Sequence, residues 1–219
     1  MPSTSFPVPV LQSSIKITNE PPKGLKANLL RTYNDISDKA YESCSKKTEY
    51  KLLIFSLAFF HAVILERRKY GAIGWNIPYE WMNSDFDASN MQMKMYLDEQ
   101  PIIPYKTLNY LIAEINYGGR VTDDKDVKLI TALLLSYLNP NIMKGNYQFT
   151  TSGVYHQPSD LSLESVKEYV SGLPLEDDPE IYGLHKNANI TFQQKNVREF
   201  FETLLSMQPR ASGGSAKGG

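Results

Sequence analysis

The chain has 219 residues, 42% of them hydrophobic and 11% aromatic, enough to bury a sizeable core in one large or two small domains. With 23 Lys and Arg against 24 Asp and Glu the formal net charge is −1, so no chain-wide field draws it to nucleic acid or to an anionic membrane. The single Cys44 excludes an internal disulfide and a thiol-rich metal site, and fits a reducing, cytosolic compartment.

Residues 1–13 carry Pro2, Pro7 and Pro9 and are expected to be extended, with no regular element before about Val10. The opening MPSTSFPVPV has neither the basic start nor the unbroken apolar run of a signal peptide. Ser14-Ile15-Lys16-Ile17-Thr18 alternates polar and apolar residues as a half-buried strand does, although no second strand follows to pair with it. Beyond Pro21-Pro22, LKANLLRTY reads as a short helix with Leu25, Leu29, Leu30 and Tyr33 on one face. Residues 34–47 are polar, a loop or a short helix.

The most strongly marked stretch is Thr48 to Trp75, TEYKLLIFSLAFFHAVILERRKYGAIGW. Between Leu52 and Leu65 only Ser56 and His61 interrupt an apolar run, so a helix here is hydrophobic nearly all round and needs other helices to enclose it. Its apolar part falls short of the roughly 20 residues that span a bilayer. Thr48 is the expected cap, Glu66, Arg67, Arg68 and Lys69 are expected to carry the helix into solvent, and Gly71 and Gly74 to stop it.

Next, NIPYEWMNSDF predicts an irregular segment held on the bundle by Trp75, Tyr79, Trp81 and Phe86. A helix over about 88–99 follows, capped by Asp85 or Asp87, although Met91, Met93, Met95 and Leu97 also fit a period of two. Pro104 opens a helix with Leu108, Leu111, Ile112 and Ile115 in one stripe, ended by Asn116-Tyr117-Gly118-Gly119. Thr122-Asp123-Asp124 starts another, with the Thr122 hydroxyl as cap and two carboxylates in the first turn, Ile130, Leu133, Leu134, Tyr137 and Leu138 at core spacing and Asn139-Pro140 at its close. Gly145 to Pro158 is an extended loop. Leu163, Val166, Val170 and Leu173 mark a helix ended by Gly172 and Pro174, and EDDPEIYGL an acidic stretch with a short turn from Pro179. Thr191-Phe192-Gln193-Gln194 has capping-box form ahead of an amphipathic helix with Val197, Phe200, Phe201, Leu204 and Leu205. Gln208-Pro209 ends it, before a flexible ASGGSAKGG.

The residues carry no local signature of an autonomous active site. Gly118-Gly119-Arg120 lacks the spacing of a phosphate loop, and His61, His156 and His185 form no paired metal spacing. Asp123, Asp124 and Asp126 read as helix capping rather than as a calcium loop, which needs alternating ligands around a glycine. Arg67 and Arg68 are either a solvated helix end or a contact for a phosphate or a partner's carboxylates. Trp75, Tyr79 and Trp81 either pack in a core or interface, or stack on a ligand.

Four stretches resemble the dynein heavy chain family: ITNEPPKGLKANLLRTY (17–33), FFHAVILERRKYGAIGWNIPYEW (59–81), INYGGRVTDDKD (115–126) and LPLEDDPEIYGLHKNANITFQQ (173–194). They run in family order over nearly the whole chain and are most similar to axonemal heavy chains of cilia and flagella. The resemblance implies the end of the sixth AAA+ module of the motor ring with its lid: a mainly α-helical bundle of AAA+ lid type with a short N-terminal strand segment. It divides the chain into 1–46, the tail of the α/β core and a connector, 47–208, the lid, and 209–219, a flexible junction to the C-terminal domain, and it implies a piece of a longer polypeptide.

By the same resemblance the parent chain is a minus-end-directed, ATP-driven microtubule motor of the axonemal cytoskeleton, in the cytoplasm. ATP and Mg are bound at other modules, and this piece has no cofactor, metal or catalytic residue. Its expected partners are the neighbouring modules and the C-terminal domain, with microtubules and other dynein subunits reached through the parent chain, and no nucleic acid or membrane. Arg67, Arg68, Tyr117, Gly118, Gly119 and Arg120 are the candidate contacts between modules. Two rival readings stand beside it: an independent adaptor binding a protein partner through residues 75–86, and a nucleotide-sensing element using Arg67 or Arg68.

Overall fold

Lys47–Arg67 forms one continuous helix in which every residue from Leu52 to Ile64 is buried, and the rest of the molecule is arranged to cover it. The computed structural model describes residues 8–15 and 22–207. In chain order the helices are α1 (Val8–Ser13), α2 (Leu25–Asp35), α3 (Asp38–Tyr41), α4 (Lys47–Arg67), α5 (Asn83–Glu99), α6 (Tyr105–Tyr110), α7 (Asp124–Tyr137), α8 (Leu163–Gly172) and α9 (Asn187–Met207). Tight 3₁₀ turns follow α4 at Arg68–Ile73 and stand at Pro140–Lys144 and Pro179–Tyr182, while α6 runs on as a π-helical turn, Leu111–Tyr117.

Helices α2, α5 and α7 pack against α4, and α8 packs on α2. Leu25, Leu29 and Tyr33 of α2, Met93 and Leu97 of α5, Ile130 and Leu134 of α7, and Val166 and Val170 of α8 all face this core, as helical spacing requires. Each buried Leu or Phe contributes about 2 kcal/mol, and α4 carries a large share of this buried apolar surface. In length and composition the stretch Lys47–Ile73 could cross a membrane, contrary to the length argument from the sequence. Here protein encloses it: 78% of its apolar window is buried.

The expected strand is not formed in its described part. Ser14 and Ile15 are irregular, with Ile15 exposed, and Lys16, Ile17 and Thr18 lie outside the described residues. Alternation alone holds no strand that lacks a partner. Among the described residues the β pairing is one isolated antiparallel bridge, Gln148 with His156, inside the predicted loop. Residues 8–13 are helical rather than extended, because Pro9 falls in the first turn, where its missing N–H is not needed. The predictions for residues 1–7 and 208–219 also lie outside the described residues.

Several boundaries move for local reasons. Thr48 is not the cap of α4, which begins one residue earlier with no side-chain cap and has Glu49 in its first turn. Helix α5 starts at Asn83, before the expected position, and Asp85 works from inside the first turn by accepting the Met82 N–H at 2.8 Å. Met93 and Leu97 are buried while Met91 and Met95 are exposed, which settles helix over strand. Asp123, not Thr122, caps α7, accepting from the backbone of Lys125 and Asp126. Thr191 lies within α9, which begins at Asn187. Helix α9 packs on the 68–73 turn through its first half, whereas Val197, Phe200, Phe201, Leu204 and Leu205 face solvent.

Candidate functional site

The end of α4 turns inward instead of running into solvent. Arg67 is only 2% exposed. Its Nε and Nη2 donate to the Gly74 carbonyl at 3.2 and 3.0 Å, its Nη1 donates to the Tyr182 carbonyl, and the guanidinium lies 5.3 Å from the centre of the Trp75 ring. Burial pulls its pKa down to about 10, so it stays cationic at neutral pH. The turn that brings Gly74 over Arg67 needs Gly71 at φ 60, and a Cβ on Gly74 would stand 1.9 Å from the Arg67 carbonyl oxygen. Glu66 is half-buried and accepts from Asn28 Nδ2 at 2.8 Å. Of this charged run Arg68 alone is exposed.

Beside Arg67, the buried Asp177 joins three parts of the chain. Its Oδ2 accepts from the Leu25 N–H at 3.2 Å, from Lys69 Nζ at 3.2 Å and from the Tyr182 hydroxyl at 2.6 Å. The first bond satisfies an N–H left over at the start of α2. In the sequence Asp177 and Tyr182 stand out only as part of an acidic stretch, because the partners of Asp177 lie up to 152 residues away. The aspartate-aspartate-proline run was the available signal.

Asp126 is a second buried hub and not a solvent-facing cap. It accepts from the backbone N–H of Asn76 and Ile77 and from the Tyr79 hydroxyl, at 3.0 to 3.4 Å. These bonds fix the course of residues 75–81, whose rings pack on one another with centroids 4.9 to 6.2 Å apart. Trp75, Tyr79 and Trp81 are therefore buried core residues, not an open stacking platform.

The segment Tyr117 to Arg120 divides similarly. Tyr117 is fully buried: its hydroxyl shares a 2.9 Å hydrogen bond with His61 Nδ1, and its carbonyl accepts from Trp81 Nε1 at 3.0 Å. Burial lowers the His61 pKa to about 4, so the imidazole is neutral. Gly118 sits where a Cβ would meet the Ala113 carbonyl oxygen at 2.4 Å, and Gly119 faces open space. Arg120 reaches back to Asp85 Oδ1 at 3.2 Å. Of the six candidate contacts, Arg68, Gly119 and Arg120 are thus on the surface, and Arg67, Tyr117 and Gly118 are inside.

Arg68 lies on a groove of about 990 Å³, bounded by the start of α2, the end of α4, the start of α5 and α9. Lys23, Arg31 and Lys69 line it with Arg68, against the one carboxylate of Glu66. Apolar surface there comes from Leu65, Trp81, Met82 and Phe192.

Comparison with known proteins places this geometry in context. A family profile described as Dynein heavy chain AAA lid domain matches residues 50–188. Dynein axonemal heavy chain 1 of Mus musculus is 48% identical over 213 residues, covering 97% of this chain and 5% of that protein. Dynein axonemal heavy chain 6 of Homo sapiens is 44% identical over 218 residues, 99% of this chain and 5% of the relative. The Dynein-1-beta heavy chain, flagellar inner arm I1 complex, of Chlamydomonas reinhardtii is 43% identical over 219 residues, 100% of this chain and again 5% of the relative. The chain therefore spans about one twentieth of the length of the relatives it matches.

Proposed function

This chain belongs to the dynein heavy chain family, in its AAA lid domain, and from that premise we propose that it is a non-catalytic lid that transmits conformational change between modules of an axonemal motor ring. The parent chain, on this reading, is an ATP-driven, minus-end-directed microtubule motor of the cytoskeleton of cilia and flagella, with ATP and Mg held at other modules. The lid is the unit 47–208 of the sixth module, preceded by residues 1–46 as the tail of the α/β core and connector, with 209–219 as the junction onward. Its partners are the neighbouring modules and the C-terminal domain of the same chain, and Arg68, Gly119 and Arg120 are the candidate contacts left on its surface.

The observation that supports this reading is the closure of α4 by buried polar bonds. Arg67 ties its end to residues 74 and 182, and Asp177 ties those elements to α2. A close-packed body with such ties moves as one piece and passes on a displacement rather than absorbing it. The adaptor reading is disfavoured because the aromatic residues of 75–86 are buried, and the nucleotide reading loses Arg67 to internal carbonyls.

Isothermal titration of the 219-residue chain with magnesium ATP, and then with ADP, tests the silent lid. No heat beyond dilution up to millimolar nucleotide is the expected result. Saturable binding that Arg68→Ala abolishes would make the chain a nucleotide-sensing element instead.

A further inference from the structure

The groove beside Arg68 is charged in a way the packing of the bundle does not use. Among the described residues the ion pairs engage Lys47, Lys51, Lys69, Arg120 and Lys195, and none engages Lys23, Arg31 or Arg68. Lys69 and Glu66 largely satisfy one another at 3.7 Å, and Lys69 also holds Asp177. Three exposed cations therefore stand around the groove without a salt bridge to any carboxylate of the described residues. Between them lies apolar surface from Leu65, Met82 and Phe192.

The cations come from separate points of the rim: Lys23 precedes α2, Arg31 is in its second turn and Arg68 follows the end of α4. A polypeptide meets charges set apart in this way with alternate side chains on one edge, which recur about every 7 Å along an extended segment. The volume lies at the upper end of the roughly 300–1,000 Å³ range of small-molecule pockets, and its walls come from four separate elements.

The geometry points to a docking site for an acidic polypeptide segment, with two or more carboxylates on one edge and an apolar side chain between them. The carboxylates pair with Arg31 and Arg68 at the rim, and Lys23 extends the track toward the start of α2. The apolar side chain covers Met82 and Phe192. This goes beyond the lid reading, and holds whether or not the lid relays motion.

Fluorescence anisotropy of the 219-residue chain with a labelled synthetic peptide tests it, the peptide alternating glutamate with leucine and glycine. Saturable binding is expected at low salt and weaker binding at about 0.15 M salt, where screening shortens to about 8 Å. Arg31→Glu combined with Arg68→Glu should weaken binding at least about tenfold. Both side chains are exposed, so the melting temperature should hold, and Lys106→Glu on α6, which does not line the groove, should leave binding unchanged. The charge-neutral pair Arg31→Gln with Arg68→Gln should give an intermediate loss. Absence of binding by the folded chain, binding indifferent to both double variants, or displacement of the peptide by an equal concentration of magnesium ATP or inorganic phosphate would overturn the proposal.

Discussion

The guanidinium of Arg67 donates to the carbonyl oxygen of Tyr182, joining the end of the central helix to a one-turn helix 115 residues further on. With the Gly74 carbonyl this gives a buried cation three hydrogen bonds to main-chain oxygens and a tryptophan face, and, among the described residues, no carboxylate salt bridge. Residues distant in sequence thereby become one wall of the bundle.

Arg67→Met removes these bonds and leaves buried carbonyls without donors, at a cost of about 3 kcal/mol. Arg67→Lys restores the charge without the fork and should recover less than half of the loss. Urea unfolding with an unchanged slope checks both. A midpoint equal to that of the parent chain for Arg67→Met would show that the ties at this end carry no stability.

His61 predicts an acid-labile core. Its folded pKa of about 4 lies below the ordinary value of 6.5, so the unfolded chain binds the proton first as pH falls. The stability that a neutral His61 confers is full above pH 6.5 and is lost between about 6.5 and 4, on the order of 3 kcal/mol. His61→Gln should flatten that part of the pH profile in thermal melts. A profile of the same steepness in the variant would assign the loss to other groups.

Asp126→Ala frees the N–H groups of Asn76 and Ile77 and the Tyr79 hydroxyl together. The expected cost is about 3 kcal/mol, with loss of the near-ultraviolet circular dichroism of Trp75 and Trp81, while helix content at 222 nm stays within about a tenth of its value. Retained aromatic signal would mean that packing alone orders residues 75–81.

The two adjacent glycines should behave differently. Gly118→Ala drives a methyl against the Ala113 carbonyl and should cost about 2 kcal/mol, whereas Gly119→Ala meets nothing and should change stability by less than about 0.5 kcal/mol. Equal effects in denaturant titration would contradict the close approach at 118.

What the sequence made legible follows from where the information sits. Helices α2, α7 and α8 place their apolar residues at 3.6 spacing, and α4 declares itself by composition, so the bundle is readable from periodicity. The orientation of Arg67 was not readable. A charged run at a helix end resembles a solvated end, and its acceptors are main-chain carbonyls that no residue type announces. Asp126 stood among three aspartates, of which one caps the helix, one is exposed and one is buried, and only tertiary structure distinguishes them. In α9 the pattern correctly marked an apolar face, but a pattern does not say what covers it, and Phe200 and Phe201 lie exposed.

The central claim, that the lid moves as one rigid piece, is tested most directly by native-state hydrogen exchange in graded urea. The amides of α4, of Leu25 at the start of α2 and of Gly183 and Leu184, which bond to the 179–182 turn, should open with one common free energy equal to global unfolding. If residues 177–184 opened several kcal/mol below α4, the ties through Arg67 and Asp177 would be local ornaments, and the lid could not pass a displacement from one of its sides to the other.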